Sequence, residues 1–110
     1  MSPGKSSSAR AKAAIFAALG DETRLFLLAK LSRGQRHSIA ELTEGTKLTR
    51  QAVTKHLRVL ERVRVVHRSH EGRESLFNFD PQPLIEMKDY LEHVSQQWDG
   101  ALSRLKAFVE

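Results

Sequence analysis

The chain has 110 residues, 40% hydrophobic and 28% charged, a composition that suits one domain around one core. Eighteen Lys and Arg against thirteen Asp and Glu leave a formal net charge of +5. The lack of cysteine excludes a disulfide framework, a thiolate metal site and a thiol redox switch, and no apolar run approaches the ~20 residues of a bilayer span.

Residues 1–9 are mostly Ser, Gly, Pro and Lys, with little to bury, and read as a disordered tail. The apolar run Ala13–Leu19 is too short for a secretory signal that leads into Gly20-Asp21-Glu22-Thr23-Arg24, so a cytoplasmic protein is expected. Residues 10–83 form the expected folded domain. Its first helix is predicted over Arg10–Leu19, with Ile15, Phe16 and Leu19 on one side and Gly20 as its stop. Asp21 is a good N-cap for a second helix, whose stripe Leu25, Leu28 and Leu31 is widened by Phe26 and Leu27. Ser38-Ile39-Ala40-Glu41 has the form of a capping box and opens a short helix that Gly45 ends. Thr49 is the next N-cap, and a fourth helix runs from Arg50 to about Val63. Two short helices across a small turn make a helix-turn-helix.

The hydrophobic period then changes from that of a helix to that of a strand. Val65–Ser69 and Ser75–Phe79 are β-favouring runs around His70-Glu71-Gly72-Arg73-Glu74, a hairpin with a glycine at its tip. Pro81 and Pro83 lead into a long last helix over residues 84–110. The fold class is therefore mainly α with a small β-hairpin wing, a winged helix-turn-helix.

Charge is unevenly placed. Residues 49–73 hold seven basic and two acidic side chains, a local excess of +5, whereas residues 74–110 carry −4. On a helical wheel centred on Val53, Leu57, Leu60 and Thr49 fall toward the core. Gln51, Thr54, Lys55, Arg58 and Arg62 fall between roughly 100° and 200°, on the opposite side. Arg50 is intermediate. That face offers an amide, a hydroxyl and cations without a carboxylate, which are the groups that read base edges and hold phosphates in double-stranded DNA. His56 lies on the flank of the apolar face, where a bond to backbone or phosphate is a simpler reading than a base contact. Arg68, His70 and Arg73 around Gly72 give the hairpin cations for an adjacent groove or phosphate strand.

These residues resemble a known family. Phe16-Ala17-Ala18-Leu19-Gly20-Asp21-Glu22-Thr23-Arg24 is similar to the "aLadptR" opening of the ArsR/SmtB winged-helix repressors. Ile39-Ala40-Glu41-Leu42 followed by Gln51-Ala52-Val53-Thr54-Lys55-His56-Leu57-Arg58-Val59-Leu60 resembles their helix-turn-helix, and Glu71-Gly72-Arg73 their wing. The match runs from about Ala13 to Phe79. It implies a dimeric repressor on a palindromic operator, with base and backbone contacts from Thr49, Arg50, Gln51, Thr54, Lys55 and His56 and a wing contact from Arg73. This chain departs from the family in two ways. Val63-Arg64-Val65-Val66 stands where the family usually has Ala-Gly-Leu-Val, which puts a non-glycine residue at an expected left-handed position. The short third helix also lacks the cysteine metal box.

Some family members bind zinc near the start of the last helix. Here Asp89 and His93 share a face with Glu92 beside them, but no second histidine follows. A helix-surface ion pair is the simpler reading, and no metal ligand or cofactor is assigned. The last helix has a clearer pattern. Leu84, Met87, Leu91, Val94, Trp98, Ala101, Leu105 and Phe108 alternate spacings of three and four, a stripe longer than one small domain needs for its own core. It predicts a homodimer through this helix, together with the first. The inducer, a small molecule or a protein, stays open. An enzyme is disfavoured, since there is no cysteine nucleophile, no phosphate-cradling glycine loop and no Ser/His/acid set at interpretable spacing. A metal-responsive sensor with a non-cysteine site and a protein-interaction winged helix are the alternatives to a DNA-binding repressor.

Overall fold

Side-chain caps decide where three of the helices begin. The computed structural model describes the backbone of residues 3–109 and the side chains of residues 9–109. Helix α1 spans Pro3–Leu19 and α2 Glu22–Leu31. The Asp21 carboxylate accepts from the Arg24 amide at 2.9 Å, satisfying one of the free donors of the first turn of α2. Strand β1 is His37–Ser38 and α3 is Ile39–Thr43. The capping box forms in full: the Glu41 amide donates to Ser38 Oγ at 3.1 Å, and the Ser38 amide donates to Glu41 Oε1 at 3.0 Å. Helix α4, Arg50–Arg62, starts where the Ala52 amide donates to Thr49 Oγ1 at 3.1 Å.

Helix α1 begins at Pro3 rather than Arg10, so the expected tail is helical from that residue; Met1 and Ser2 lie outside the described residues. Proline suits a first helical turn, where its missing N–H has no partner to lose, and the Lys and Ala that follow sustain the helix.

The wing is a hairpin of β2, Val66–Glu71, and β3, Glu74–Phe79, in register from Val66↔Phe79 to Glu71↔Glu74. Only Gly72 and Arg73 remain between the strands, so the turn is tighter than the five-residue tip read from the sequence. Gly72 takes φ +62° at the first central position, the turn chemistry that matches strand twist in short hairpins. The sequence pattern missed β1, which pairs antiparallel with β3 through His37↔Phe77 and Ser38↔Leu76. Two residues are too few to show a period; β1 exists because β3 has a free edge beside it. The sheet order is β1-β3-β2.

The core gathers Leu27, Leu28, Leu31, Leu42, Val53, Leu57, Leu60, Val65, Val66 and Phe77. On α2 the buried stripe is rotated from the expected one. Leu27 is fully buried, while Leu25 and Phe26 are about half exposed, as is Phe16 on α1. Helix α4 ends in a Schellman motif: the Arg64 amide donates to Glu61 O at 3.0 Å and the Val65 amide to Leu60 O at 3.3 Å. Arg64 sits at its left-handed position with φ +65°, the one non-glycine residue with positive φ among the described residues. The hydrophobic pair that accompanies such a motif is present, since Leu60 and Val65 are both fully buried.

Helix α5, Gln82–Val109, is about 42 Å long at 1.5 Å per residue. The Gln82 amide donates to the Asp80 carboxylate at 2.9 Å, and His67 Nε2 bonds the same carboxylate at 2.7 Å, fixing the start of α5 to β2. Met87 is its one buried residue. No helix among the described residues is long and apolar enough to cross a membrane.

Candidate nucleic-acid interface

The fold turns one face of α4 outward because Val53, Leu57 and Leu60 bury the other completely. Arg50, Gln51, Thr54, Lys55 and Arg58 then line, with Ile39 of α3, a concavity of about 580 Å³. No acidic residue occupies the first turn of α4, so the unsatisfied amides of its positive end add to the field of Arg50 and Lys55. Thr54 Oγ1 donates back to Arg50 O at 2.7 Å, which commits its hydrogen and leaves its lone pairs and methyl group outward. Thr49, which the wheel points toward the core, is exposed, because a cap residue has left helical geometry.

Three of the predicted site residues have other neighbours. His56 is turned toward α2: Arg24 Nη1 lies 3.3 Å from His56 Nδ1, and an Asp21 carboxylate oxygen lies 3.8 Å from the same nitrogen. Arg62 is exposed but stands apart from the α4 cluster, lining a second cavity with residues of α1 and α5. Arg68 pairs with Glu61 across the α4–β2 corner at 3.5 Å, which neutralises part of the hairpin's positive charge. Arg73 is exposed at the tip, flanked by Glu71 and Glu74, and Glu71 in turn meets Arg36 at 3.6 Å.

Arg24 was not singled out from the sequence. Its Nε donates to Ala18 O at 2.5 Å and its Nη2 to Ala17 O at 3.2 Å, closing the carbonyl end of α1 while its third nitrogen reaches α4. One guanidinium thereby joins the end of α1, the start of α2 and the side of α4. The Arg24 amide bond holds the Asp21 carboxyl below the usual carboxylate range, helped by the charges of Arg24 and His56. The sequence signals that could have found it were its place at the end of the family-like opening Phe16–Arg24 and the flank position of His56.

The α5 stripe divides in two. Met87 is buried and Leu84 packs against the core, so both expected interface residues serve the domain itself. From Leu91 onward the stripe lies open: Leu91 is 48% exposed, Trp98 64%, Leu105 59% and Phe108 88%, with Val94 and Ala101 half-buried between them. Among the described residues, no three His, Asp or Glu side chains come together as metal ligands, and His93 bonds Gln97 at 3.3 Å.

Comparison with known proteins matches residues 19–68 to a helix-turn-helix domain family. The chain is 39% identical over 79 residues to the HTH-type transcriptional regulator YuzN of Bacillus subtilis, covering 66% of this chain and 86% of that one. Among solved structures it is similar to an ArsR-like transcriptional regulator from Rhodococcus sp. RHA1, at 32% identity and TM-score 0.84, over 94% of this chain and 97% of that chain. The fold is also that of a homodimeric winged helix-turn-helix DNA-binding domain from Mycobacterium bovis, at 18% identity and TM-score 0.70, over 88% and 89% of the two chains.

Proposed function

The chain belongs to the ArsR-type helix-turn-helix transcriptional regulators, and from that premise we propose that it is a homodimeric repressor reading a palindromic operator through α4. The observation that carries the reading is the outward face of α4, where Arg50, Gln51, Thr54, Lys55 and Arg58 converge on one concavity without a carboxylate. Gln51 is suited to an adenine edge and Lys55 or Arg50 to guanine; the Thr54 methyl suits thymine and its oxygen accepts. Arg58 and the α4 amino end hold phosphates, and exposed Arg73 reaches the neighbouring backbone from the wing. In this reading Arg68 and His56 act within the fold, one through Glu61 and the other through Arg24 and Asp21.

The open α5 stripe supports the dimer, as does the homodimeric state of the Mycobacterium bovis domain. A two-fold axis along α5 and α1 would carry two α4 helices to major grooves about one turn apart.

Titrating salt against a palindromic and a random duplex tests the function. A DNA reader shows a steep salt slope on both and a residual preference for its own sequence. Gln51→Ala should lose about 1–3 kcal/mol on the specific duplex alone, whereas Arg58→Ala should weaken both duplexes. Unchanged affinity in a Gln51/Lys55 double alanine variant refutes the assignment of α4, and a salt slope without sequence preference favours an acidic protein partner.

A further inference from the structure

The second cavity, about 330 Å³, lies where the end of α4 meets α1 and the start of α5. Ala14 and Ile15 of α1, Val63 and Pro83 give it an apolar lining, and Arg62, Arg64 and Glu86 supply its charges. Neither the Arg62 nor the Arg64 guanidinium forms an ion pair or hydrogen bond among the described residues, whereas those of Arg24, Arg36 and Arg68 all do. The lining therefore carries two uncommitted guanidiniums against one carboxylate. Arg64 adds an independent observation. It occupies the left-handed position that glycine fills without strain, so the chain retains a strained backbone together with a guanidinium at the cavity.

We propose that this cavity binds a small organic acid, its carboxylate on Arg62 and Arg64 and its hydrocarbon body against Ala14, Ile15, Val63 and Pro83. Guanidinium forks match carboxylate geometry, and the bond is charge-assisted on both sides. At about 30 Å³ per non-hydrogen atom, the liquid share of a water molecule, the volume holds about ten such atoms, the size of octanoate. Phosphate contact is the competing use of the same cations, but it would leave the apolar lining without a role.

The experiment is a titration of the full chain with octanoate, followed by amide chemical shifts, with octanol as the uncharged control. Octanoate should give saturable shifts at Ala14, Ile15 and Val63, and octanol should bind at least about fivefold more weakly. Arg62→Gln and Arg64→Gly should each weaken octanoate by a similar factor. Arg64→Gly removes the guanidinium while easing the backbone, so loss of binding there is not loss of fold, and its affinity for duplex should be unchanged. Absence of saturable shifts at those amides overturns the site. So does equal binding of octanol, or octanoate binding that survives Arg64→Gly. A fall in duplex affinity in Arg64→Gly, with the salt slope reduced by about one, would instead assign the guanidinium to phosphate.

Discussion

Replacing Arg64 by glycine should make the protein more stable. A left-handed backbone costs an L-residue about 1–2 kcal/mol, and Arg64 holds φ +65° at the close of the α4 Schellman motif. Glycine removes that cost but frees the unfolded chain, which returns about 0.4–1 kcal/mol. The Arg64 side chain is exposed and has no bonded partner among the described residues, so its loss subtracts nothing else from the fold. The net gain is about 0.5–1 kcal/mol, or roughly 2–4 °C in melting temperature for a domain of this size. Urea unfolding at fixed protein concentration should show a higher midpoint with an unchanged slope. Arg64→Val should move the other way, because a β-branched residue tolerates positive φ least. A destabilised Arg64→Gly, or an Arg64→Val as stable as the parent, would refute the strain argument.

Trp98→Ala should shift sedimentation toward monomer at micromolar protein, because an exposed interface anchor commonly contributes about 2 kcal/mol or more; circular dichroism should stay helical, and a variant that remains fully dimeric would move the interface off α5. Arg24→Ala should lose about 2–3 kcal/mol in denaturant unfolding, since it leaves the Ala17 and Ala18 carbonyls without their charged donor; a loss below about 0.5 kcal/mol would show that water replaces the guanidinium. The carboxyls of Asp21, Glu41 and Asp80 are all held below their ordinary range, first by backbone amides at helix starts and then by Arg24 and His56, the Ser38 hydroxyl and His67 respectively. Groups depressed in the folded state stabilise it above their unfolded pKa and lose that contribution as pH falls through the folded one. Thermal stability should therefore drop as pH falls below roughly 4, and the triple variant Asp21→Asn, Glu41→Gln and Asp80→Asn should flatten that drop; an unchanged acid limb would refute the assignment.

Caps and turns were legible in the sequence because they depend on residues only a few positions apart. Asp21, Ser38 with Glu41, and Thr49 each close a helix start within three residues, and Gly72 supplies the one φ its turn needs. The outward cations of α4 were equally legible, since a helix with one apolar stripe must turn its other side to water. Tertiary structure decided what depends on which neighbour a face meets. Periodicity put Leu25 in the main stripe of α2 with Phe26 and Leu27 beside it, and packing selected Leu27 for the core and left the other two half exposed. It also ended the domain's claim on α5 at Met87, leaving the stripe from Leu91 onward uncovered. The same holds for charges far apart in sequence. His56 meets Arg24, Arg68 meets Glu61, and Arg62 leaves the face of α4 for a cavity shared with α1 and α5. Helical spacing fixes the direction in which such a side chain leaves its own helix, but only the packed fold fixes what lies there.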